Sequence, residues 1–260
     1  MKNPDYKIIG VIPARYGSTR FPGKPLVEIK GKSLIQRTYE NAAKCASFDS
    51  IIIATDDKRI YEHADSFGAD VVMTSSDCLT GTDRVLEAIN NIKDNIDDSA
   101  IIVNVQGDEP CISPDTINTI IEALIKNPDA VMATAASKIT DIADLKDPSV
   151  VKCALDTAGN ALYFSRACIP YVRNPKKMST HHRHLGIYAF RKEFLLKYSQ
   201  LAPTPLQLAE DLEQLKILER GYKIKVAIVE DSDIGVNTPD DVKKLEKILC
   251  NQNSYSSPAE

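Results

Sequence analysis

The chain has 260 residues, 43% of them hydrophobic and 26% charged, with a formal net charge of −4. That size and apolar content suit a folded globular α/β protein with a substantial core. A mildly acidic balance gives no general attraction to nucleic acid or anionic membrane, so any site for a polyanion has to be local.

The N-terminus "MKNPDYKIIG" has neither the apolar h-region nor the small-residue cleavage site of a secretory signal, and no apolar run approaches the length of a membrane span. The six cysteines include no C-x-x-C pair, and most sit among apolar residues, which suits a reducing compartment. The expectation is a cytoplasmic protein that binds neither membrane nor nucleic acid.

In chain order, "KIIGVI" (7–12) is a β-branched run ended by Pro13 and reads as a central parallel strand. A helix follows at "SLIQRTYENAAKC", with Ser33 as its cap. Strand and helix then alternate: strand 50–55, helix 57–67, strand 70–73, helix 82–93 capped by Thr82, strand 100–106 and helix 115–126. Such alternation predicts a mostly parallel, Rossmann-like sheet covered by helices on both faces.

From about residue 130 the strands lengthen: "AVMATAAS", then "VVKCALD" and "ALYFSR" joined by the turn "TAGN". This half reads as mixed or antiparallel. The Pro- and Lys-rich stretch 167–180 is the candidate lid. A strand "RHLGIYAF", helices 191–199 and 206–219, a strand "YKIKVAIVE" and a helix 238–249 follow. With no repeat and no linker, the chain reads as one domain over 1–250, with a smaller sub-region at about 130–200 and a disordered tail at 251–260.

Ligands of open α/β sheets bind beyond the carboxyl ends of the strands. Three segments should meet there: the loop after strand one, the end of "VNVQGDEP", and the loop before helix 82–93. The first loop, "ARYGSTRFPGKP", is not a P-loop, because five residues separate Gly17 from Gly23 and Pro25 follows Lys24. Arg15, Arg20 and Lys24 can still converge on phosphates while the glycines admit backbone N–H groups; the competing reading is a solvated surface loop.

"QGDEP" (106–110) puts two carboxylates at the end of an apolar strand, suited either to Mg²⁺ and phosphates or to a simple helix entrance. In "HHRH", His182 and His184 share a strand face; without a nearby acid or thiol, a substrate-facing His184 and two exposed loop histidines are expected rather than a metal site. In "AEDLEQL", Glu210 and Gln214 fall on one helix face with Glu213 beside them, by default a solvated face.

Together the blocks "IPARYGSTRFPGKPL", "ATDD", "VMTSSDCLTGTDR", "VNVQGDEP", "ALYFSRACIPY", "RHLGIYAFR", "LAEDLEQLKIL" and "GVNTPDDV" resemble the 3-deoxy-manno-octulosonate (Kdo) cytidylyltransferases over roughly residues 8–249. The resemblance implies a dimeric α/β nucleotidyltransferase that couples CTP to Kdo, giving CMP-Kdo and pyrophosphate for lipopolysaccharide synthesis with Mg²⁺. It implies that Arg15, Ser18 and Lys24 hold the CTP phosphates, that Met73, Thr74, Thr82 and Arg84 surround the base and ribose, and that Ala14 and Gln106 also belong to the CTP site. Arg20, Gln106, Arg166, His184, Tyr188, Glu213 and Gln214 would serve Kdo, with Glu210 as support. Arg15, Lys24 and Asp108 would be catalytic, and Asp108 and Asn237 would hold the metal. The family motif has Asp where this chain has Asn237, an amide oxygen that can coordinate but brings no charge. Rival readings are a cytidylyltransferase for amino-Kdo or a neuraminic-type acid, and a non-catalytic nucleotide-binding protein of this fold.

Overall fold

The computed structural model describes residues 5–17, 21–92, 96–174, 180–230, 235–236 and 238–254. In chain order its elements are β1 (Ile8–Ala14), a 3-10 turn (Lys24–Leu26), β2 (Glu28–Ile29), β3 (Lys32–Ser33), α1 (Leu34–Ala42), β4 (Ser50–Thr55), α2 (Lys58–Ser66), β5 (Asp70–Met73) and α3 (Gly81–Asn91). There follow β6 (Ile101–Asn104), α4 (Pro114–Ile125), β7 (Ala130–Lys138), α5 (Ile142–Lys146), β8 (Lys152–Leu155), β9 (Ala161–Ser165) and β10 (His182–Arg191). The last are α6 (Lys192–Tyr198), α7 (Pro205–Glu210), α8 (Leu215–Leu218), β11 (Lys223–Ile228) and α9 (Pro239–Ser254).

The chain divides into two compact units. The basic-loop unit runs from Gly10 through α3 and adds Val105–Pro114 and α9; the mixed-sheet unit holds β6 and α4 to β11.

In the basic-loop unit β1, β4 and β5 are neighbours in that order, with β4 and β5 parallel and Thr55 opposite Met73. β1 is buried along its whole length, as its unbroken apolar run requires when helices cover both faces. α1 buries Leu34, Ile35, Thr38 and Ala42, and Ser33 caps it by accepting from the Gln36 N–H at 3.2 Å. Leu245 of α9 and Val236, three residues before that helix, are fully buried in one cluster with Ile29 and Leu34; side chains of this size each contribute about 1.5–3 kcal/mol.

In the mixed-sheet unit β10 is antiparallel to both β6 and β7, and β11 is parallel to β7. The β8–β9 hairpin adds to the outer end of β10, pairing Cys153 with Phe164 and with His182. β10 shifts register against β7 between Leu185 and Tyr188. Thr134 occupies that irregularity, donating its hydroxyl to the Leu185 and Ile187 carbonyls at 3.2 and 2.7 Å. His184 and Tyr188, paired with Ala136 and Thr134, therefore share one face.

Five expectations need correction. Pro13 does not end β1, which continues to Ala14; proline has no N–H to leave unpaired there, and the Val105 N–H bonds the strand at the Val11 carbonyl, two residues earlier. α3 is capped by Thr80 rather than Thr82, because Thr80 and Asp83 form a reciprocal capping box. The helix expected at 206–219 is broken into α7 and α8 by Asp211, whose φ of 52° and ψ of 51° are left-handed. His182 heads β10 half-buried instead of lying exposed in a loop. The tail begins later than expected, since α9 runs to Ser254, and 255–260 lie outside the described residues. Of the cysteines, only Cys45 and Cys153 are fully buried, while Cys168 and Cys250 are exposed. Part of the candidate lid, 175–179, also lies outside the described residues.

Candidate active site

A cavity of about 240 Å³ opens in the basic-loop unit where three segments converge. The first wall is the end of β1 and its loop: Ala14, Arg15, Lys24 and two prolines. The loop turns back at Gly23, whose φ is +71°, and the Gly23 N–H donates to the Tyr16 carbonyl at 3.0 Å. Arg59 stacks on the Tyr16 ring 3.4 Å from its centroid, pinning the base of the loop to α2.

The second wall is Gln106–Gly107–Asp108. It lies so close to β1 that a Cβ on residue 107 would stand 2.8 Å from the Pro13 carbonyl oxygen, a contact only glycine avoids. The Thr38 hydroxyl on α1 donates to the Gly107 carbonyl at 3.2 Å, and the Val236 N–H donates to the Asp108 carbonyl at 2.8 Å. Asp108 is thus fixed by its backbone, and its carboxylate accepts from the Lys24 ammonium at 2.6 Å.

The third wall is Cys78, Leu79 and the N-terminal turn of α3 with Thr80, Gly81 and Arg84. Arg84 is 2% exposed, paired with Asp56 at 2.9 Å and bonded to the Thr74 hydroxyl at 2.6 Å. Ala14, Arg15, Lys24, Arg84, Gln106 and Asp108 are therefore gathered as the sequence suggests. Met73, Thr74 and Thr82 do not line this cavity: Met73 is exposed at the end of β5, Thr74 is consumed by Arg84, and Thr82 is buried in α3. Ser18, Arg20 and Asn237 lie outside the described residues. The loop before α3 does reach the cavity as expected, but its lining residues Cys78, Leu79, Thr80 and Gly81 are not among the site residues the sequence singles out, nor are Pro13, Pro25 and Gly107; the box "TGTD" is the signal for the first group.

In the mixed-sheet unit the remaining candidates form a second cluster. The His184 ring lies edge-on to Phe164 at 4.9 Å and beside Tyr188 at 5.6 Å, with Nε2 3.0 Å from the Thr134 hydroxyl. Burial pushes its pKa down to about 3, so the ring is neutral. Burial, and then the Glu213 charge, pushes the Tyr188 phenol well up. Tyr188, Glu213 and Gln214 line one small pocket, where the Tyr188 hydroxyl meets Gln214 Oε1 at 3.5 Å. Gln214 is 1% exposed and its Nε2 is a buried donor with no protein partner, a group that calls for an acceptor.

Because α7 ends at Asp211, Glu210 and Gln214 do not share a helix face as expected. Glu210 instead accepts from the Ser165 hydroxyl at 2.6 Å and the Arg166 N–H at 2.9 Å. Burial alone would raise its pKa, but these hydrogen bonds and the Arg166 charge hold it below the usual range. The Arg166 guanidinium is held by the carbonyls of Glu210, Pro148 and Asp211 at 2.7, 3.1 and 3.2 Å. These partners are backbone oxygens, and a carboxylate ligand would have to share or displace them.

Among the described residues no cluster of three or more His, Cys, Asp or Glu is arranged to hold a metal. The donor set still fits Mg²⁺ bound with a nucleotide. That ion is commonly held by one or two carboxylates and completed by phosphates and water, and Asp108 offers one carboxylate at a cavity lined by Arg15 and Lys24.

A strand–loop–carboxylate cavity of this kind defines a nucleotide-handling α/β protein, and the cytidylyltransferase family matches residues 9–224. The chain is similar to the 3-deoxy-manno-octulosonate cytidylyltransferase of Protochlamydia amoebophila (52% identity, covering 96% of each chain). It is also similar to the mitochondrial one of Arabidopsis thaliana, at 49% identity over 95% of this chain and 84% of that protein. A solved CMP:2-keto-3-deoxy-manno-octonic acid synthetase complexed with CTP superposes with a TM-score of 0.88 at 39% identity, over 95% of this chain and 99% of that one. The chain belongs to the 3-deoxy-manno-octulosonate cytidylyltransferase family. A 4-diphosphocytidyl-2C-methyl-D-erythritol synthase from Anaerococcus prevotii, 18% identical with a TM-score of 0.62 over 95% of this chain and 99% of that one, shares the fold.

Proposed function

We propose that the chain transfers CMP from CTP to the anomeric hydroxyl of Kdo, releasing pyrophosphate and forming CMP-Kdo for lipopolysaccharide synthesis. The observation that carries this reading is the convergence of Arg15, Lys24, Gln106 and Asp108 on one cavity in a chain of this family.

In the reaction the Kdo hydroxyl gives up its proton to solvent and its oxygen forms a bond to the α-phosphorus while the bond to the pyrophosphate oxygen breaks in line. Arg15 and Lys24 bind the phosphates, and the Lys24 ammonium offsets the charge that grows on departing pyrophosphate. To do so Lys24 exchanges its Asp108 partner for a phosphate oxygen. The buried base Arg84, tied to Asp56 and Thr74, keeps the start of α3 in place. Asp108, with Asn237 as a neutral second ligand, would hold Mg²⁺, which when bound supplies positive charge at the phosphates. Tyr188, Glu213 and Gln214 carry the hydroxyl recognition of the sugar acid, and the unpartnered Gln214 Nε2 supports that role. Neutral His184 can exchange hydrogen bonds without adding charge.

The enzyme would work as a cytoplasmic homodimer. Among the described residues no helix is long and apolar enough to cross a membrane. The test is pyrophosphate release from CTP and Mg²⁺ with Kdo, amino-Kdo or a neuraminic acid in turn. Release with Kdo alone is expected; release only with another acid would reassign the substrate, and none with any acid would refute the reading.

A further inference from the structure

The segment between β5 and α3 supplies Cys78, Leu79 and Thr80 to the cavity, yet it has no ladder of its own and Leu79 is 84% exposed. Something other than packing must hold it. Three side chains from α3 reach back to it: Asp83 accepts from the Thr80 N–H at 3.0 Å, while Arg84 and Glu87, one turn apart, hold its earlier part. Arg84 bonds the Thr74 hydroxyl at 2.6 Å and the Ser75 carbonyl at 3.3 Å. Half-buried Glu87 spends both its oxygens on the same segment: Oε1 accepts from the Ser75 N–H at 2.6 Å, and Oε2 from the Cys78 thiol at 3.0 Å.

We infer that Glu87 is a positioning residue for the nucleotide, a carboxylate clamp that sets the cavity wall Cys78–Thr80 by gripping Ser75 and Cys78 at once. This rests on the cytidylyltransferase reading, in that the ligand of the wall is taken to be CTP. Glu87 does not line the cavity, so it acts through the segment it holds. The thiol is the donor in this grip: burial, then the hydrogen bond and charge of Glu87, push its pKa up to about 12. Cys78 is thereby kept protonated and slow to react.

The test combines CTP binding by calorimetry with alkylation of Cys78 by iodoacetamide, followed by peptide mass spectrometry. Glu87→Ala should weaken the CTP Kd at least tenfold, while Glu87→Gln, whose amide oxygen can still take the Ser75 N–H, should restore it to within about threefold. In the unmodified enzyme Cys78 should alkylate more slowly than exposed Cys168, and CTP should slow it further. In Glu87→Ala the Cys78 rate should rise while that of Cys168 stays fixed, a change that loss of overall stability would not confine to one cysteine. Unaltered CTP binding in Glu87→Ala would overturn the inference and leave the function standing. If that variant fails to fold, equal Cys78 and Cys168 rates in the unmodified enzyme with no CTP protection would overturn it. An unmodified enzyme that binds no CTP would overturn both.

Discussion

His184 makes acid stability the most direct test of how the mixed-sheet unit is built. Its ring packs against Phe164, Tyr188 and Thr134, and burial lowers its pKa from 6.5 to about 3. The unfolded chain takes up a proton there as pH falls through 6.5, whereas the folded chain does so only near 3. Stability from this group is therefore complete above 6.5, declines through that window and is fully lost below 3. At pH 5 the penalty relative to pH 7.5 is about 2 kcal/mol, from the ratio of the two binding polynomials. The assay is reversible urea unfolding of the parent and of His184→Gln at both pH values. With m on the order of 2–3 kcal/mol/M, the parent midpoint should drop by about 0.7–1 M more than that of the variant. His182, whose pKa burial also lowers, is present in both proteins and cancels in the difference. Parallel shifts in the two proteins would refute the reasoning, since they would show that the ring titrates as in water.

Lys24→Met should lower kcat/KM for CTP by roughly a hundredfold or more, since it removes charge at the leaving pyrophosphate. Its stability cost should stay within about 1 kcal/mol, because the partly exposed Asp108 can be solvated; turnover and thermal midpoints check both, and equal turnover would return the loop to a solvated surface. Gly107→Ala drives a Cβ to 2.8 Å from the Pro13 carbonyl oxygen. The expected cost is about 1–3 kcal/mol, read as a lowered thermal midpoint together with a raised KM for CTP. Asn237→Asp should lower the Mg²⁺ concentration needed for half-maximal turnover, and an unchanged requirement would show that the amide costs nothing.

Local patterning made much of the basic-loop unit legible. "SIIIAT" and "DVVM" become β4 and β5 with the expected bounds, because a run of β-branched residues between turn formers has few other solutions. Ser33 caps α1 for the same local reason. The cap of α3 is Thr80 and not Thr82, and the sequence carries the distinction: Thr80 has an acid three residues on, whereas Thr82 has Val85. The grip of Glu87 on Ser75 and Cys78 could not be read, since it depends on how the β5–α3 segment folds back on its own helix. Nor could the fate of Arg84 and Arg166. A motif announces a charged group, and only the fold shows whether a carboxylate, a hydroxyl or backbone oxygens meet it.

The break at Asp211 was equally hidden, because aspartate at a left-handed torsion is marked by no local pattern. That single torsion decides which neighbours the polar side chains of "AEDLEQL" meet: Glu210 goes to the β9 end and Gln214 inward to Tyr188. The site is consequently written in a backbone angle as much as in side chains. Grafting Glu210, Glu213 and Gln214 onto a regular helix would keep every functional group and lose their division of labour, so a designed sugar-acid site patterned on this protein has to copy the kink before it copies the residues.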